Sequence, residues 1–526
     1  MNKSQTKILV ILSVTAFVLA FLISGRLWFR LDMTSNNIFT ISEISRNMHM
    51  EISDQVTITY FVSDRLVIAH PMPGAIAGLL REYAAHSRGR IRVVQRDPAR
   101  ANLVRAVEDL GIIPWQIQII ENNEPAVATV YSGILIEYLD RAAVIPIVFS
   151  LYTLEYDLSS RIRALIRSTP REIGVIVADA HKHWHTDFSL LNRALFLAGF
   201  NVRPISPGEA IPDTLPALFV LGGAEDLDAF HLYLIDRYIM GGGNVLFAVD
   251  GVFVDSRGSL QAWPVHDMGL LAMLANYGVL LHSALVLDQS ALNLTFQAHD
   301  GAGMQVRSIS YPHWIAVLEE RSNPKHRITS RFAGIDLYWA SPLELIPPEG
   351  INAEVLFLST PWAWLQTDNF ITDPGMAMFF EEEQAETSGT KVLAAALSGI
   401  FPSAFEGQSF GFPPPQRRYS RLVVVGDTDF AGDIMEIGQS ETRNLDFLVR
   451  VAEWLSSEDD MLDMRGREGV GRLDRITDSQ RRHAVMAFSQ RANTVFIPLI
   501  TALAGFFLVR RRAVSLRRNS RGGEGR

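Results

Sequence analysis

Two long apolar runs lie near the ends of the chain, one at residues 8–23 and one at residues 494–509, and neither contains a charged residue. Continued through Trp28 and Phe29, which suit a water–lipid interface, the first run approaches the ~20 residues that span a bilayer. The pattern therefore predicts transmembrane anchors within residues 1–30 and 491–526. A cleaved signal peptide is the alternative for the first run, and a buried C-terminal helix for the second.

Arginines after the second run predict the orientation of the chain in the membrane. Basic residues next to a span stay in the cytoplasm. If both runs span, both termini are cytoplasmic and the intervening residues lie outside. Within the second run, Ala502 and Gly505 form a small-residue face suited to close helix packing, and Ala504 lies off that face. The arginines after the run are Arg510, Arg511, Arg512, Arg517, Arg518 and Arg521.

Between the anchors, the first stretch alternates between strand-like and helix-like patterns. Residues 56–62 alternate β-branched and aromatic side chains, as strands do, and residues 76–86 have helical spacing after a break at Pro73 and Gly74. The β-α-β-α-β-β order favours a small, thioredoxin-like α/β domain over residues 31–150. The remaining predicted elements are a strand at 91–95, a helix at 101–110, and strands near 116–120 and 133–138.

A second, larger α/β domain is predicted over residues 151–460. Residues 173–178 form a continuous apolar run, typical of a buried parallel strand. Strand and helix patterns then alternate, which predicts a doubly wound sheet. Residues 255–380 are less regular, and 461–490 read as a polar juxtamembrane linker. The other predicted elements are helices at 155–166, 188–198, 227–240 and 444–456 and strands at 218–221, 244–249, 355–359 and 421–426.

Composition excludes several classes of function. The 526 residues contain no cysteine, so disulfides, thiolate metal sites and cysteine nucleophiles are impossible. A net charge of −9 argues against a nucleic-acid-binding protein, which usually carries a basic face. The chain is also too long for a single hydrophobic core, which agrees with two or more domains.

Two polar segments are candidates for metal binding. His181, His183 and His185 alternate, so on an extended segment their imidazoles would share a face and could meet one metal ion. Asp427 and Asp429 follow a predicted strand and could bind a cation, although an Asx-type turn explains the same residues.

Two glycine-containing motifs are not expected to be catalytic. No phosphate-binding loop of the type G-x-x-x-x-G-K-[ST] occurs, and the triglycine at residues 241–243 precedes a strand, so it is predicted to be a turn. A G-x-S-x-G sequence surrounds Ser409, but prolines follow where a nucleophile elbow requires a helix. An exposed loop is therefore predicted there, and any ATPase must be a separate protein.

Several short segments, taken in order, resemble the GldG-like family of auxiliary subunits of gliding-motility-type ABC transporters. The resemblance covers most of the chain and includes the basic C-terminal run. The segments are residues 31–34 (LDMT), 39–42 (FTIS), 56–63, 155–158 (EYDL), 238–251 (YIMGGGNVLFAVDG), 398–405 (SGIFPSAF), 421–430 (RLVVVGDTDF) and 444–455.

The resemblance implies a flavodoxin-like or class I glutamine amidotransferase-like fold for the larger domain, used without catalysis. One turn departs from the family pattern, because Asp179-Ala180-His181-Lys182 stands where a Gly-His-Gly-Glu-like sequence is expected. The implied function is a non-catalytic, cofactor-free auxiliary component in the bacterial inner membrane, with a large periplasmic body. Its implied partners are an ABC-2-type permease and a separate ATPase subunit. The alternatives are a membrane-tethered, metal-dependent periplasmic hydrolase and a periplasmic glycan- or solute-binding module.

Overall fold

The computed structural model describes residues 41–456, apart from 122–123, 150, 152, 168–170, 224, 301–302, 331, 381–383, 409 and 413–414. Both predicted anchors and the 461–490 linker therefore lie outside the described residues, as does Ser409. Within residues 41–456, no helix is both long and apolar enough to cross a membrane. The described residues fall within one compact unit, and the predicted boundary near residue 150 stays a prediction.

The N-terminal part is built around one central strand, as the alternating pattern predicts. Val56–Val62 pairs in parallel with one neighbour and antiparallel with the other, and six of its seven side chains are buried. The elements are helices α1 (Glu43–Glu51), α2 (Asp64–Ala69), α3 (Met72–Ala85), α4 (Val104–Asp109) and α5 (Leu154–Ile166), and strands β1 (Val56–Val62), β2 (Ile91–Arg96), β3 (Trp115–Glu121), β4 (Glu124–Val130), β5 (Ser132–Tyr138) and β6 (Arg141–Ile145).

The strand order is β2-β1-β5-β6, and β3 and β4 form a separate hairpin. The sequence pattern predicted a strand at the position of β3 but missed β4, β6 and α2. The predicted chain break at Pro73 and Gly74 is wrong, because α3 begins at Met72 and runs through both residues. Proline is tolerated in the first turn of a helix, where its missing N–H has no partner to lose.

The larger part contains a mixed sheet with parallel strands on one side. Its elements are helices α6 (Trp184–Asp187), α7 (Ser189–Leu197), α8 (Ala229–Met240), α9 (Leu270–Tyr277), α10 (Gln384–Thr387), α11 (Met435–Gly438) and α12 (Glu441–Leu455), and strands β7 (Arg171–Ala178), β8 (Phe200–Pro204), β9 (Ala217–Gly222), β10 (Asn244–Ala248), β11 (Val252–Val254), β12 (Ala262–Pro264), β13 (Val279–Leu281), β14 (Leu285–Leu287), β15 (Ala291–Asp300), β16 (Gly303–Leu318), β17 (Gly334–Tyr338), β18 (Leu343–Leu345), β19 (Asn352–Leu358), β20 (Trp364–Gln366), β21 (Val392–Gly399) and β22 (Ser420–Val425).

The sheet order is β13-β18-β21-β22-β10-β9-β7-β8, and β19 also pairs with β21. The strands β8, β7, β9, β10 and β22 are mutually parallel. Two hydrophobic cores cover the two faces: α7 and α12 pack on one, and α8 and α9 on the other. This arrangement confirms a mixed α/β fold with helices on both faces of the sheet.

The region from 255 to 380, which looked irregular in sequence, is rich in strands. A long antiparallel hairpin of β15 and β16 extends to β17 to form a three-stranded sheet. The triglycine is a turn between α8 and β10, as predicted, and Gly242 adopts a φ of +98° there. A left-handed φ of this kind favours glycine because other side chains are strained in it.

Among the buried residues of helix α12, Asn444 links the helix to neighbouring elements by hydrogen bonds. Its Oδ1 accepts a hydrogen bond from the N–H of Asp336 at 2.9 Å. Its Nδ2 donates to the carbonyls of Asp336 and Phe430 at 2.9 and 3.0 Å. Asn444 is fully buried, so no water can replace these bonds. The asparagine therefore joins α12 to β17 and to the turn after β22.

Replacing Asn444 with alanine should destabilise the fold strongly. The substitution leaves one backbone N–H and two carbonyls buried without a partner, which should lower the free energy of unfolding by about 2–4 kcal/mol. Chemical denaturation of both proteins measures the difference. Asn352→Ala, at an exposed position, is the matched control and should change stability by less than ~0.5 kcal/mol. Equal stability of the two variants would contradict this role for Asn444.

Candidate functional site: the carboxyl edge of the parallel strands

Polar residues follow the ends of four parallel strands, which meet at one edge of the sheet. Asp179 and Lys182 follow β7, Asp226 follows β9 and Asp250 follows β10. Asp427 and Asp429 follow β22. From β7 the chain first adds β8 on one side of the sheet, and it then adds β9 and β10 on the other side of β7. Ligands of open α/β sheets bind in the crevice outside the strand ends at such a position.

A single lysine lies at the centre of this acidic edge. The Nζ atom of Lys182 is 2.7 Å from Oδ1 of Asp429 and 3.5 Å from Oδ2 of Asp179. Only 14% of its side chain is exposed. Burial on its own would lower the pKa of Lys182, but the charges of Asp429, Asp250 and Asp179 raise it above its usual value. Lys182 is therefore a permanent cation that links the ends of β7 and β22.

Asp427 is fully buried, and its carboxylate oxygens accept hydrogen bonds from the main chain. Its Oδ2 accepts from the N–H of Tyr338 at 2.6 Å, and its Oδ1 from the N–H of Phe430 at 3.2 Å. Burial, followed by the charges of Asp250 and Asp429, raises the pKa of Asp427 well above its usual range. The hydrogen bond from the N–H of Phe430, three residues after Asp427, agrees with an Asx-type turn in this segment.

Asp250 occupies an intermediate position, partly buried and facing the lysine. Its Oδ1 accepts a hydrogen bond from the N–H of Thr428 at 2.7 Å, and Thr428 in turn donates from Oγ1 to the carbonyl of Ala248 at 2.9 Å. Burial raises the pKa of Asp250 to about 6, against the lowering effect of Lys182. The charge on this carboxyl therefore changes near neutral pH.

The three candidate histidines do not lie on an extended segment. Trp184–Asp187 forms a helical turn, so the alternation that would place three imidazoles on one face is interrupted at His183. All three side chains are exposed, and Asp187 is held by Arg257 and by the N–H of His183. In the part of the chain that the structure describes, no group of three His, Cys, Asp or Glu side chains is placed to hold a metal ion. Metal binding by His181, His183 and His185 stays a prediction that this geometry does not support.

Beside the lysine lies a small crevice of about 110 Å³. Its acidic wall includes Asp226, whose pKa is raised by burial and by the nearby Asp179. The lining also includes two aromatic residues: the rings of Phe253 and Trp263 lie 4.8 Å apart, and Trp263 is 44% exposed. Carboxylates that face an aromatic surface can bind a cationic group, or the hydroxyl groups and apolar face of a sugar ring.

Sequence reasoning identified His181, Asp427 and Asp429 at this edge but missed the central residue, Lys182. It also missed Asp226 and Asp250. The available signal was positional, because each of these residues comes within a few positions of the end of a buried parallel strand. Such positions converge on one edge of a sheet, so they can be searched together even when they are far apart in the chain.

Comparison with known proteins gives two family matches. The model of a family described as "ABC-type uncharacterized transport system" matches residues 170–451, more than half of the chain. A domain of unknown function, DUF7088, matches residues 35–137. An uncharacterized protein of Borreliella burgdorferi is 23% identical over 514 residues, which cover 96% of this chain and 97% of that protein.

Solved structures give weaker likenesses. The N-terminal domain of mmIFT52 aligns with a TM-score of 0.31 and 15% identity, covering 54% of this chain and 97% of that one. A putative ThuA-like protein from Parabacteroides merdae aligns with a TM-score of 0.28 and 12% identity, covering 55% of this chain and 91% of that one. At these TM-scores neither likeness bears on function.

The raised pKa of Asp250 should be visible in the pH dependence of stability. Because its folded pKa is about 6 and its ordinary value is 3.8, the folded state binds more protons between these values. The free energy of unfolding therefore falls as pH rises through this window, by up to about 3 kcal/mol from this group. Asp250→Asn keeps the acceptor for Thr428 and removes the titration, so its stability should fall less between pH 4 and pH 7.

Urea denaturation at several pH values measures this effect. Asp368→Asn, at an exposed aspartate, is the matched control and should follow the profile of the unmodified protein. If Asp250→Asn also followed the unmodified profile, the raised pKa would be refuted.

Proposed function

The chain belongs to the family described as an ABC-type uncharacterized transport system, and from this membership we propose that it is a non-catalytic, membrane-anchored auxiliary subunit of a gliding-motility-type ABC transporter. The observation that carries the proposal is the family match over residues 170–451, which include nearly all of the larger sheet. Membership links the chain to components of an ABC transport system. The named partners, an ABC-2-type permease and a separate ATPase, are part of the proposal.

The chemistry of the carboxyl edge supports a non-catalytic role. Lys182 is protonated and engaged by Asp429 and Asp179, and so it cannot act as a base or a nucleophile near neutral pH. Asp427 bonds to backbone N–H groups instead of pointing its oxygens at a ligand. These contacts stabilise the ends of the strands, and they leave the crevice beside them as a surface for binding.

The histidine geometry does not favour the hydrolase alternative, whereas the crevice favours the binding-module alternative. The first depended on three histidines meeting a single metal ion, and the helical turn at Trp184–Asp187 interrupts the extended geometry that this requires. The second is favoured by the acidic crevice and its exposed aromatic wall. A binding crevice is also compatible with an auxiliary subunit that presents a substrate to its permease.

Location in the membrane follows from the sequence pattern and belongs to the same proposal. The two apolar runs act as anchors in the bacterial inner membrane, with both termini in the cytoplasm and the folded body in the periplasm. The arginines that follow residue 509 support this orientation.

Co-purification tests the proposed complex. The intact, tagged protein, extracted in mild detergent from its native membrane, should retain an ABC-2-type permease and an ATPase. Gly505→Leu should reduce recovery of the permease, because it places a large side chain on the proposed packing face, and Ala504→Leu should not. Recovery of neither partner would refute the transporter assignment. Recovery of a bound glycan without them would favour the binding module, and turnover abolished by Asp250→Asn would favour an enzyme.

Reporter fusions test the proposed orientation independently of the partners. A reporter active only in the periplasm should work when inserted at the exposed turn near Gly350 and should be silent at the C-terminus. A reporter active only in the cytoplasm should give the reverse. Periplasmic activity at the C-terminus would contradict the proposed topology while leaving the family membership intact.

A further inference from the structure

A second cavity, of about 350 Å³, lies in the N-terminal part of the molecule, far along the chain from the acidic edge. It opens between the C-terminal end of α1 and the turn that joins α3 to β2. In contrast to the crevice described above, its charged lining is basic. The polar side chains that line it are Arg46, His49, His86, Ser87, Arg88 and Arg90.

Among the described residues, no carboxylate neutralises the arginines of this cavity. Within the residues that the structure describes, Arg46 and Arg88 have no carboxylate at ion-pair distance, and both are exposed. Arg90 donates from Nη1 to the carbonyls of His49 and Met50, at 3.2 and 2.6 Å, and offsets the negative end of the α1 dipole. The acidic side chain next to the cavity is Glu82, 3.6 Å from Nδ1 of His86.

His49 forms a buried part of the cavity wall. Its side chain is only 2% exposed, and both ring nitrogens are shielded from solvent. The ring packs edge-on against Tyr83, with centroids 4.5 Å apart. Burial lowers the pKa of His49 to about 4, against the raising effect of the backbone of His86, so the ring is neutral near pH 7. The positive charge of the cavity therefore comes from the arginines.

The turn that carries Arg88 is fixed by local hydrogen bonds. Ser87 donates from Oγ to the carbonyl of Ala84 at 2.6 Å and accepts from the N–H of Ile91 at 2.9 Å. Arg88 and Gly89 both adopt left-handed backbone conformations, with φ of +54° and +84°. This turn and α1 each contribute an arginine to the lining of the cavity, Arg88 and Arg46 respectively.

We propose that this cavity is a binding site for a phosphate group, in which Arg46 and Arg88 supply the charge and the paired donors. Guanidinium groups match the oxygens of phosphate as paired donors. The phosphate belongs either to a soluble phosphate compound or to the headgroup of an anionic lipid, since α1 begins soon after the predicted first anchor.

Calorimetric titration of the full-length protein in detergent distinguishes these sources. The probes are inorganic phosphate and dihexanoylphosphatidylglycerol, a short-chain anionic lipid. Binding of inorganic phosphate supports a soluble ligand, and binding of the lipid alone supports a headgroup. The double variant Arg46→Gln/Arg88→Gln should bind at least roughly tenfold more weakly, because charge-assisted hydrogen bonds are lost. Arg105→Gln, which removes one positive charge on α4 outside the cavity, should bind normally.

His49→Phe is a second control, at a position in the cavity wall. Phenylalanine keeps the aromatic contact with Tyr83, and the ring nitrogens that it removes are shielded from the cavity, so affinity for the probe should be unchanged. No binding of either probe by the unmodified protein, or full binding by the double arginine variant, would overturn the phosphate site.

Discussion

The carboxyl edge of the larger sheet depends on one buried cation, Lys182, among several carboxyl groups. An ammonium group loses much of its hydration at this position, and it is stable there because Asp179, Asp250 and Asp429 surround it. The carboxylates in turn depend on the lysine, because they come from loops after three different strands and would repel one another without it. The attraction between the lysine and these carboxylates holds together the ends of β7, β10 and β22. Burial raises the pKa of Asp250 to about 6, and the charge of Lys182 limits that rise. Asp179 and Asp250 also line the crevice, so this cluster contributes to its negative charge.

Helix α5 connects the two parts of the described chain through polar contacts. Oε1 of Glu155 accepts hydrogen bonds from the N–H of Ser42 and from Oγ of Ser45, both at 2.7 Å, at the start of α1. One residue further along α5, the hydroxyl of Tyr156 donates to Glu453 in α12. The segment that follows the predicted first anchor is therefore joined, through a single helix, to α12 of the larger core.

Sequence pattern was most accurate where local chemistry determines structure. The predicted strand at 56–62 and the predicted helix at 188–198 agree closely with Val56–Val62 and Ser189–Leu197. The helix buries Leu191 and Leu195 at helical spacing, whereas the strand is buried on both faces and is marked by its β-branched and aromatic residues. The hairpin of β15 and β16 was missed in sequence; its second strand also pairs with β17, and β-propensity depends strongly on such context.

The candidate site was only partly predictable for a related reason. Lys182 and Asp429 are 247 positions apart, so their contact depends on the order of strands in the sheet and not on any local motif. The alternating histidines did form a visible local motif, but the helical turn at Trp184–Asp187 separates them. Local patterns thus identified which loops carry polar residues, whereas the topology decided which of those residues meet.

The two cavities have linings of opposite charge, which the net charge of the whole chain does not reveal. The net charge of −9 indicates an acidic protein, yet the cavity beneath α1 is lined by three arginines while the crevice beside Lys182 is lined by aspartates. A ligand that neutralises one set of charges would be repelled by the other. Electrostatic interactions are screened within about 8–10 Å at physiological ionic strength, so each cavity attracts ligands according to its own lining. The two linings therefore differ in charge, and each favours a ligand group of the opposite sign.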